Sequence, residues 1–177
     1  IKGFKQEENS DASYQFLDEV TRKARTTKDI EQEVENNIWT KTFRETFDKS
    51  GKVQPSHIAL LNRVLDTNDL PNINTITNVI NAIQLKHQLP IGAHDLRPIE
   101  GDVTVGLNKN NKQFLPRDNN ENEEVETNEI VHMDDVNVLT RRWCWRQGRK
   151  DLCNQETSDF IIFLNSLNEK DNLKEVV

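Results

Sequence analysis

Between Leu139 and Lys150 the chain reads Leu-Thr-Arg-Arg-Trp-Cys-Trp-Arg-Gln-Gly-Arg-Lys, so the ten positions 141–150 hold five basic residues and two tryptophans and no acid. Guanidinium planes meet phosphate and stack on bases, and an indole face stacks on bases as well, so the segment suits a nucleotide. As a strand it would set Arg141 and Trp143 on one face and Arg142 on the other, with Trp145, Arg146 and Arg149 in or after the turn that follows. Two arrangements satisfy these charges. In one, Arg141, Arg142, Trp143 and Arg146 hold the phosphate or base of a ligand. In the other, a Trp-anchored strand pairs its arginines with the acidic residues at 118–129.

A second constellation lies upstream. Wound as a helix over 74–87, Ile76, Val79, Ile80 and Ile83 share one side, and Asn74, Asn78 and Asn81 share the opposite one. Asn is a poor interior helix residue because its amide competes with the backbone for hydrogen bonds. Three on one stripe could read an adenosine edge or an amino-acid headgroup, while a solvated face in an Asn-rich chain is the reading the residues alone favour. The helix runs into Leu89-Pro90-Ile91-Gly92-Ala93-His94-Asp95, where Pro90 ends it and Gly92 lets backbone approach a ligand. His94 and Asp95 are neighbours on a strand and point to opposite faces, so they form no dyad; His94 reads as a structural hydrogen-bonder. The four His and two Cys show no metal-ligand spacing, and neither metal nor cofactor is expected. Gly-rich phosphate loops and nucleophile elbows are absent from the sequence. Asp134-Asp135 reads as a turn between strands.

The elements that must position these residues follow from periodicity. Residues 10–26 predict a helix with Ser10 as N-cap, and Thr27–Asn36 a second short one. Ile38, Trp39, Phe43 and Phe47 make an apolar stripe ended by Lys49-Ser50-Gly51. Pro55 and Ser56 open a helix carrying Ile58, Leu61, Val64 and Leu65. Strands are expected at 102–107, at 112–115 as its hairpin partner across the turn 108–111, and at 129–133, 136–143 and 158–164. Residues 118–128 read as an acidic flexible loop, and 166–177 as a frayed C-terminal helix. Helices first and strands second predict an α+β domain, N-terminal helices against a mostly antiparallel sheet.

At 177 residues, 34% hydrophobic and 30% charged, the chain has the material for one domain with a core, spanning 1–177. The first residue, Ile1, suggests that an opening strand of that domain is missing. A net charge of −7 excludes a general grip on nucleic acid, so DNA is not an expected partner and any RNA contact must be local. No apolar run approaches a membrane span, no signal peptide opens the chain, and the expected location is the cytoplasm. Cys144 and Cys153 are expected as reduced, partly buried thiols. The sequence sets no oligomeric state.

Three segments together resemble a known family. Ile38–Phe47 followed by Pro55–Leu65 is similar to a "W-R-E-x-[FY]" helix followed by "P-S-I-x-x-L-x-R-R-V-L". Leu70–Asp95 is the second segment. Ile130–Trp145 carries "V-x-x-D-D-x-x-V-L-x-R-R-W-x-W-R", the most specific of the three. Over roughly residues 30–165 the chain resembles the B3/B4 domain, the editing and tRNA-binding module of the phenylalanyl-tRNA synthetase β subunit, and more closely the free-standing proteins built of that module alone. Nothing in it resembles an aminoacylation module. The resemblance implies an α+β fold, an aminoacyl-tRNA 3′ end as ligand and no metal. It implies that Asn81 lines the pocket and that Pro90, Ala93 and Asp95 match the run "Q-P-x-H-A-[FY]-D". The chain departs from that pattern twice: Gly92 stands where the run has His, and Phe163 falls where the module has its pocket Glu. Hydrolysis of an aminoacyl ester in trans would then need a positioned water and an oxyanion site, with the amides near Gly92 and the Arg141/Arg142 pair as candidates. The alternative is a non-catalytic module for a small amino-acid-like or nucleotide ligand, or for a protein partner.

Overall fold

The computed structural model describes residues 1–6, 11–168 and 173–176. Its helices come first: α1 (Asp11–Thr26), α2 (Ile30–Asn36), α3 (Ile38–Thr46), α4 (Ser56–Thr67) and α5 (Thr75–His87). The proposed cap Ser10 lies outside the described residues. Asn37 separates α2 from α3 and caps the latter, its side chain accepting from the Trp39 amide at 2.8 Å. Pro55, at φ −64°, stands at the N-cap of α4, a position that needs no backbone donor.

Leu17, Val20 and Ala24 of α1 bury against Ile58, Leu61 and Val64 of α4, and Ala82 and Leu85 of α5 close this helical core. The other side of α5 packs Ile76 and Ile80 on a small sheet, β1 (Ile91–Asp95) antiparallel to β7 (Phe160–Leu164). Helix α5 is thus buried on two sides, with little face left for solvent. Residues 1–4 run along the start of β7, with Ile1 and Phe160 exchanging backbone bonds at 3.0 Å and Phe4 donating to Ser158 at 2.8 Å.

The second sheet holds β2 (Thr104–Leu107), β3 (Gln113–Phe114), β4 (Ile130–Met133), β5 (Asn137–Arg141) and β6 (Arg146–Gln147), in the order β2-β4-β5-β3 with β6 also on β5. The fold is α+β, and its sheets are mostly antiparallel. Two sequence expectations need correction. β3 is not the hairpin partner of β2: β2 pairs with β4, and β3 runs parallel to β5. Asn108 is the reason, since it is fully buried, accepts from the Lys112 amide at 3.1 Å and donates to Val125 at 3.3 Å. The chain wraps around that amide instead of turning tightly. The strand expected over 136–143 stops at Arg141, because Arg142 and Trp143 have φ of +44° and +64°. This left-handed pair is held by Glu129, which accepts from the Arg142 amide at 3.1 Å, and by Ile130, which accepts from the Trp143 amide at 2.7 Å. Arg141 and Trp143 therefore share no strand face.

The acidic segment is anchored partway. Residues 118–122 are exposed, but Glu123 exchanges backbone bonds with Phe114 and Val125 is buried. Of the helix expected over 166–177, residues 169–172 and 177 lie outside the described residues, and Leu173–Glu175 forms a 3-10 turn. Both cysteines are free thiols, Cys144 buried and Cys153 half-buried. No described helix is long and apolar enough to cross a membrane.

His57 gives the fold a pH dependence. It is buried against the Trp39 ring with neither nitrogen hydrogen-bonded, and burial pushes its pKa down to about 3. The unfolded chain takes up a proton below about pH 6.5 that the native state refuses, so His57 stabilises fully above that pH and less as pH falls towards 3. His132 is held at about 3 as well. Between pH 6.5 and 5 each should cost about 2 kcal/mol. His57→Leu is expected to remove about half of the loss in urea midpoint between pH 7 and pH 5; an undiminished loss would rule this account out.

Candidate functional site

A cleft of about 730 Å³ lies among α4, α5, β1, the β5–β6 turn and residues 152–155. The chain has 30 acidic residues, yet among the described residues no Asp or Glu lines this cleft. Arg63 on α4 and Arg117 both reach it, both are exposed, and among the described residues no ion pair engages either. An acidic protein has here a concavity of locally positive character, which favours an anion.

The structure brings together Asn74, Asn81, Gly92, Ala93 and Trp143, all of which line the cleft. Asn74 is committed twice. Its side chain caps α5, accepting from the Thr77 amide at 2.9 Å, and donates to the Cys153 carbonyl at 3.0 Å. Asn81 is half-buried and takes a single long contact, 3.5 Å from Gln84, so its amide stays available. A methyl group added at Gly92 would meet nothing within 4 Å, so the wall there is open. The Trp143 indole donates to Asn165 at 2.9 Å and packs edge-on to Trp39 at 5.0 Å, fixing its place in the wall.

Asn78, Arg141, Arg142 and Arg146 stand outside the lining. Asn78 is buried towards α1, accepting from the Ile73 amide at 3.1 Å and donating to Asn72 at 2.7 Å and Ser13 at 3.3 Å. Arg141 grips Glu129 with two hydrogen bonds, at 3.0 and 2.7 Å. Arg142 reaches Glu126 at 3.5 Å, and Arg146 donates to Glu123 at 2.7 Å. All three guanidinium groups surround the Trp145 ring, 5.0 to 5.9 Å from its centroid. The basic run is neutralised by the acidic segment, and that leaves little positive charge for an outside phosphate.

Periodicity gave no sign of the groups on the cleft floor. His94 bonds through Nδ1 to Asp151 Oδ2, and its Nε2 lies 3.0 Å from Nδ1 of His132. Asp151 and His132 are 57 and 38 positions from His94 in sequence; His94 stands on β1, His132 on β4 of the other sheet and Asp151 in a loop, so the packing of the two sheets and that loop brings them together. Asp151 is completely buried, His94 is 1% exposed and His132 3%. Gln147 Nε2 donates to Asp151 Oδ2 at 2.9 Å and to the Ala93 carbonyl at 2.8 Å, locking the carboxylate to β1. Phe163 packs edge-on against both imidazoles, at 5.4 and 4.7 Å. Asp95 turns the other way, as strand alternation requires, and takes Arg97 and Thr157 as partners.

Two polar atoms of this cluster are left over: Asp151 Oδ1 and His132 Nε2 are buried without a hydrogen-bond partner. Each such atom costs about 1–3 kcal/mol of stability. Burial, and next the neighbouring His94, push the His132 pKa down to about 3, and the ring is neutral at pH 7. Cys153, also in the lining, has its thiol pushed up to about 12 by burial and then by Asp95 and Asp151. It stays protonated and is no nucleophile. Among the described residues no group of three or more His, Cys, Asp or Glu side chains could hold a metal ion.

A family model described as B3/4 domain matches residues 38–174, which takes in α3 through β7 and every described residue that lines the cleft. No curated protein matches the chain.

Proposed function

The chain belongs to the B3/4 domain family, and from that membership we propose that its cleft receives the aminoacyl-adenosine end of a tRNA and releases the amino acid by hydrolysis in trans. The single observation that carries this reading is a lining that holds, among the described residues, no acid and two guanidinium groups without an ion pair, Arg63 and Arg117, in a protein of net charge −7. An anionic strand end fits such a cleft, and 730 Å³ falls within the roughly 300–1,000 Å³ of pockets for ligands of that size. Asn81 supplies an amide to read a base or amino-acid headgroup, Trp143 and Trp145 supply ring surface, and the open wall at Gly92 leaves room for the acyl side chain. Arg63 and Arg117 take the phosphates that precede the terminal adenosine.

Arg63→Gln/Arg117→Gln is expected to weaken binding of uncharged tRNA about tenfold at 0.15 M salt and to reduce the log–log salt slope by about 1.4, the value for two single-strand phosphates. Unchanged affinity and slope would reject the reading. Release of tyrosine or phenylalanine from the corresponding charged tRNA tests the hydrolytic half.

One observation favours a second reading. The pairing of Arg141, Arg142 and Arg146 with Glu129, Glu126 and Glu123 leaves no wide basic surface, which suits a free amino-acid-like or nucleotide ligand without RNA attached. Stabilisation by free nucleotides or amino acids, and not by tRNA, in a thermal shift would favour it.

A further inference from the structure

Resting on the reading of the cleft as the seat of a tRNA end, we propose that Arg142 and Arg146 form a second phosphate subsite at the cleft's edge. The carboxylates of Asp118, Glu123 and Glu126 cover it at rest, and the phosphates of an incoming strand take their place. Trp145 joins the two sites. Its ring lines the cleft, and the guanidinium carbons of Arg142 and Arg146 lie 5.0 and 5.6 Å from its centroid. Arg117 joins them along the chain, since it reaches the cleft while the next residue, Asp118, comes within 3.9 Å of Arg146. A strand leaving the cleft past Trp145 meets the covered pair next.

The exposure of its partners sets this pair apart from a structural one. Arg141 and Glu129 are both buried and stay together. Glu126, which meets Arg142 at 3.5 Å, has a side chain 74% exposed, and that of Asp118 is 87% exposed. Exposed ion pairs hold weakly, so these two carboxylates can turn to water at little cost. Arg142 also keeps a contact to Glu129 at 3.7 Å, and Arg146 donates to the half-buried Glu123 at 2.7 Å. The backbone that carries the acids need not move. Glu123 and Phe114 exchange backbone bonds at 2.8 and 3.2 Å, Val125 is buried, and Arg149 donates to the Arg117 carbonyl and to Asn120, each at 2.6 Å. Guanidinium groups crowded round one indole repel one another and call for anions. Phosphate, which a guanidinium can grip with two hydrogen bonds, suits them as well as the carboxylates do.

The test measures binding of uncharged tRNA and of inorganic tripolyphosphate to the whole chain, with thermal unfolding as the check on folding. Asp118→Asn/Glu126→Gln is expected to bind tRNA about threefold to tenfold more tightly, the worth of two exposed pairs. Its log–log salt slope should steepen by up to about 1.4, the value for two single-strand phosphates. Glu31→Gln/Glu33→Gln, exposed on α2 and outside the cleft lining, makes the same change in net charge and should gain clearly less. In an Arg142→Gln/Arg146→Gln background the gain from Asp118→Asn/Glu126→Gln should vanish. An equal gain in the α2 variant, or a gain that persists without the two arginines, would overturn the subsite. Should the arginine variant fail to fold, the comparison with the α2 variant decides alone. Binding of tRNA that depends on Arg63 and Arg117 but does not respond to Asp118→Asn/Glu126→Gln would overturn the subsite and leave the tRNA reading standing. The expected pattern with tripolyphosphate, and no binding of tRNA by any form, would support the subsite and reject the tRNA reading. The absence of that pattern with both probes would overturn the subsite.

Discussion

Glu129→Gln is expected to destabilise the fold by about 3–5 kcal/mol, the range for removing one partner of a buried ion pair. Glu129 is 7% exposed and Arg141 8%, so neither charge can turn to water, and without Glu129 the Arg141 guanidinium keeps only the longer contact to Glu123 at 3.4 Å. The carboxylate also accepts from the Arg142 amide and so helps to hold the left-handed pair at 142–143. Gln keeps the shape and removes the charge, which isolates the electrostatic part. Urea denaturation measures the effect. Because the pair is shielded from solvent, the loss should change little between low and high salt. A loss below about 1 kcal/mol, the range of exposed pairs, would show that solvent reaches the cluster.

A loss of similar size, about 3–5 kcal/mol, is expected for Trp39→Ala. Trp39 is fully enclosed by Phe43, His57 and Trp143, with ring centroids 6.1, 6.1 and 5.0 Å away. Truncation leaves a cavity that three rings cannot fill together. The indole Nε1 is buried without a partner, so Trp39→Phe removes an unsatisfied donor along with part of the volume and should cost clearly less. Equal losses for the two variants would show that ring volume is irrelevant at this position. Trp39→Ala should also loosen Trp143, which rests on it in the cleft wall.

The helices were readable from the sequence because their signals are local. The four-residue spacing through Phe16 and Val20, Pro55 ahead of α4 and the Ile76/Ile80 pair on α5 each mark one element. What could not be read depends on residues distant in sequence. The β2 to β3 connection follows from one buried amide, Asn108, and the end of β5 from a left-handed pair fixed by Glu129. The cleft was partly legible: Asn74 and Asn81 came from a polar stripe on one helix, Gly92 from the backbone freedom of glycine, Ala93 from a family resemblance, and Trp143 from an aromatic and basic run. The floor was hidden, since no periodicity joins Asp151, His94 and His132. Strand alternation correctly kept His94 apart from Asp95, and the carboxylate it does meet arrives from a loop. The fate of the arginines turned on charge pairing across 118–129, for which the sequence offered two arrangements of equal merit.

The contrast between a hollow whose described lining holds no acid and a net acidic protein would act as a sieve on anions. Electrostatic influence in physiological salt dies away over about 8 Å, so a bulky polyanion approaching from afar meets the repulsive hull before any guanidinium can pull on it. A slim, flexible terminus threads past that barrier and feels Arg63 and Arg117 at close quarters. Admission is thereby decided by the thickness of the visitor as much as by its charge.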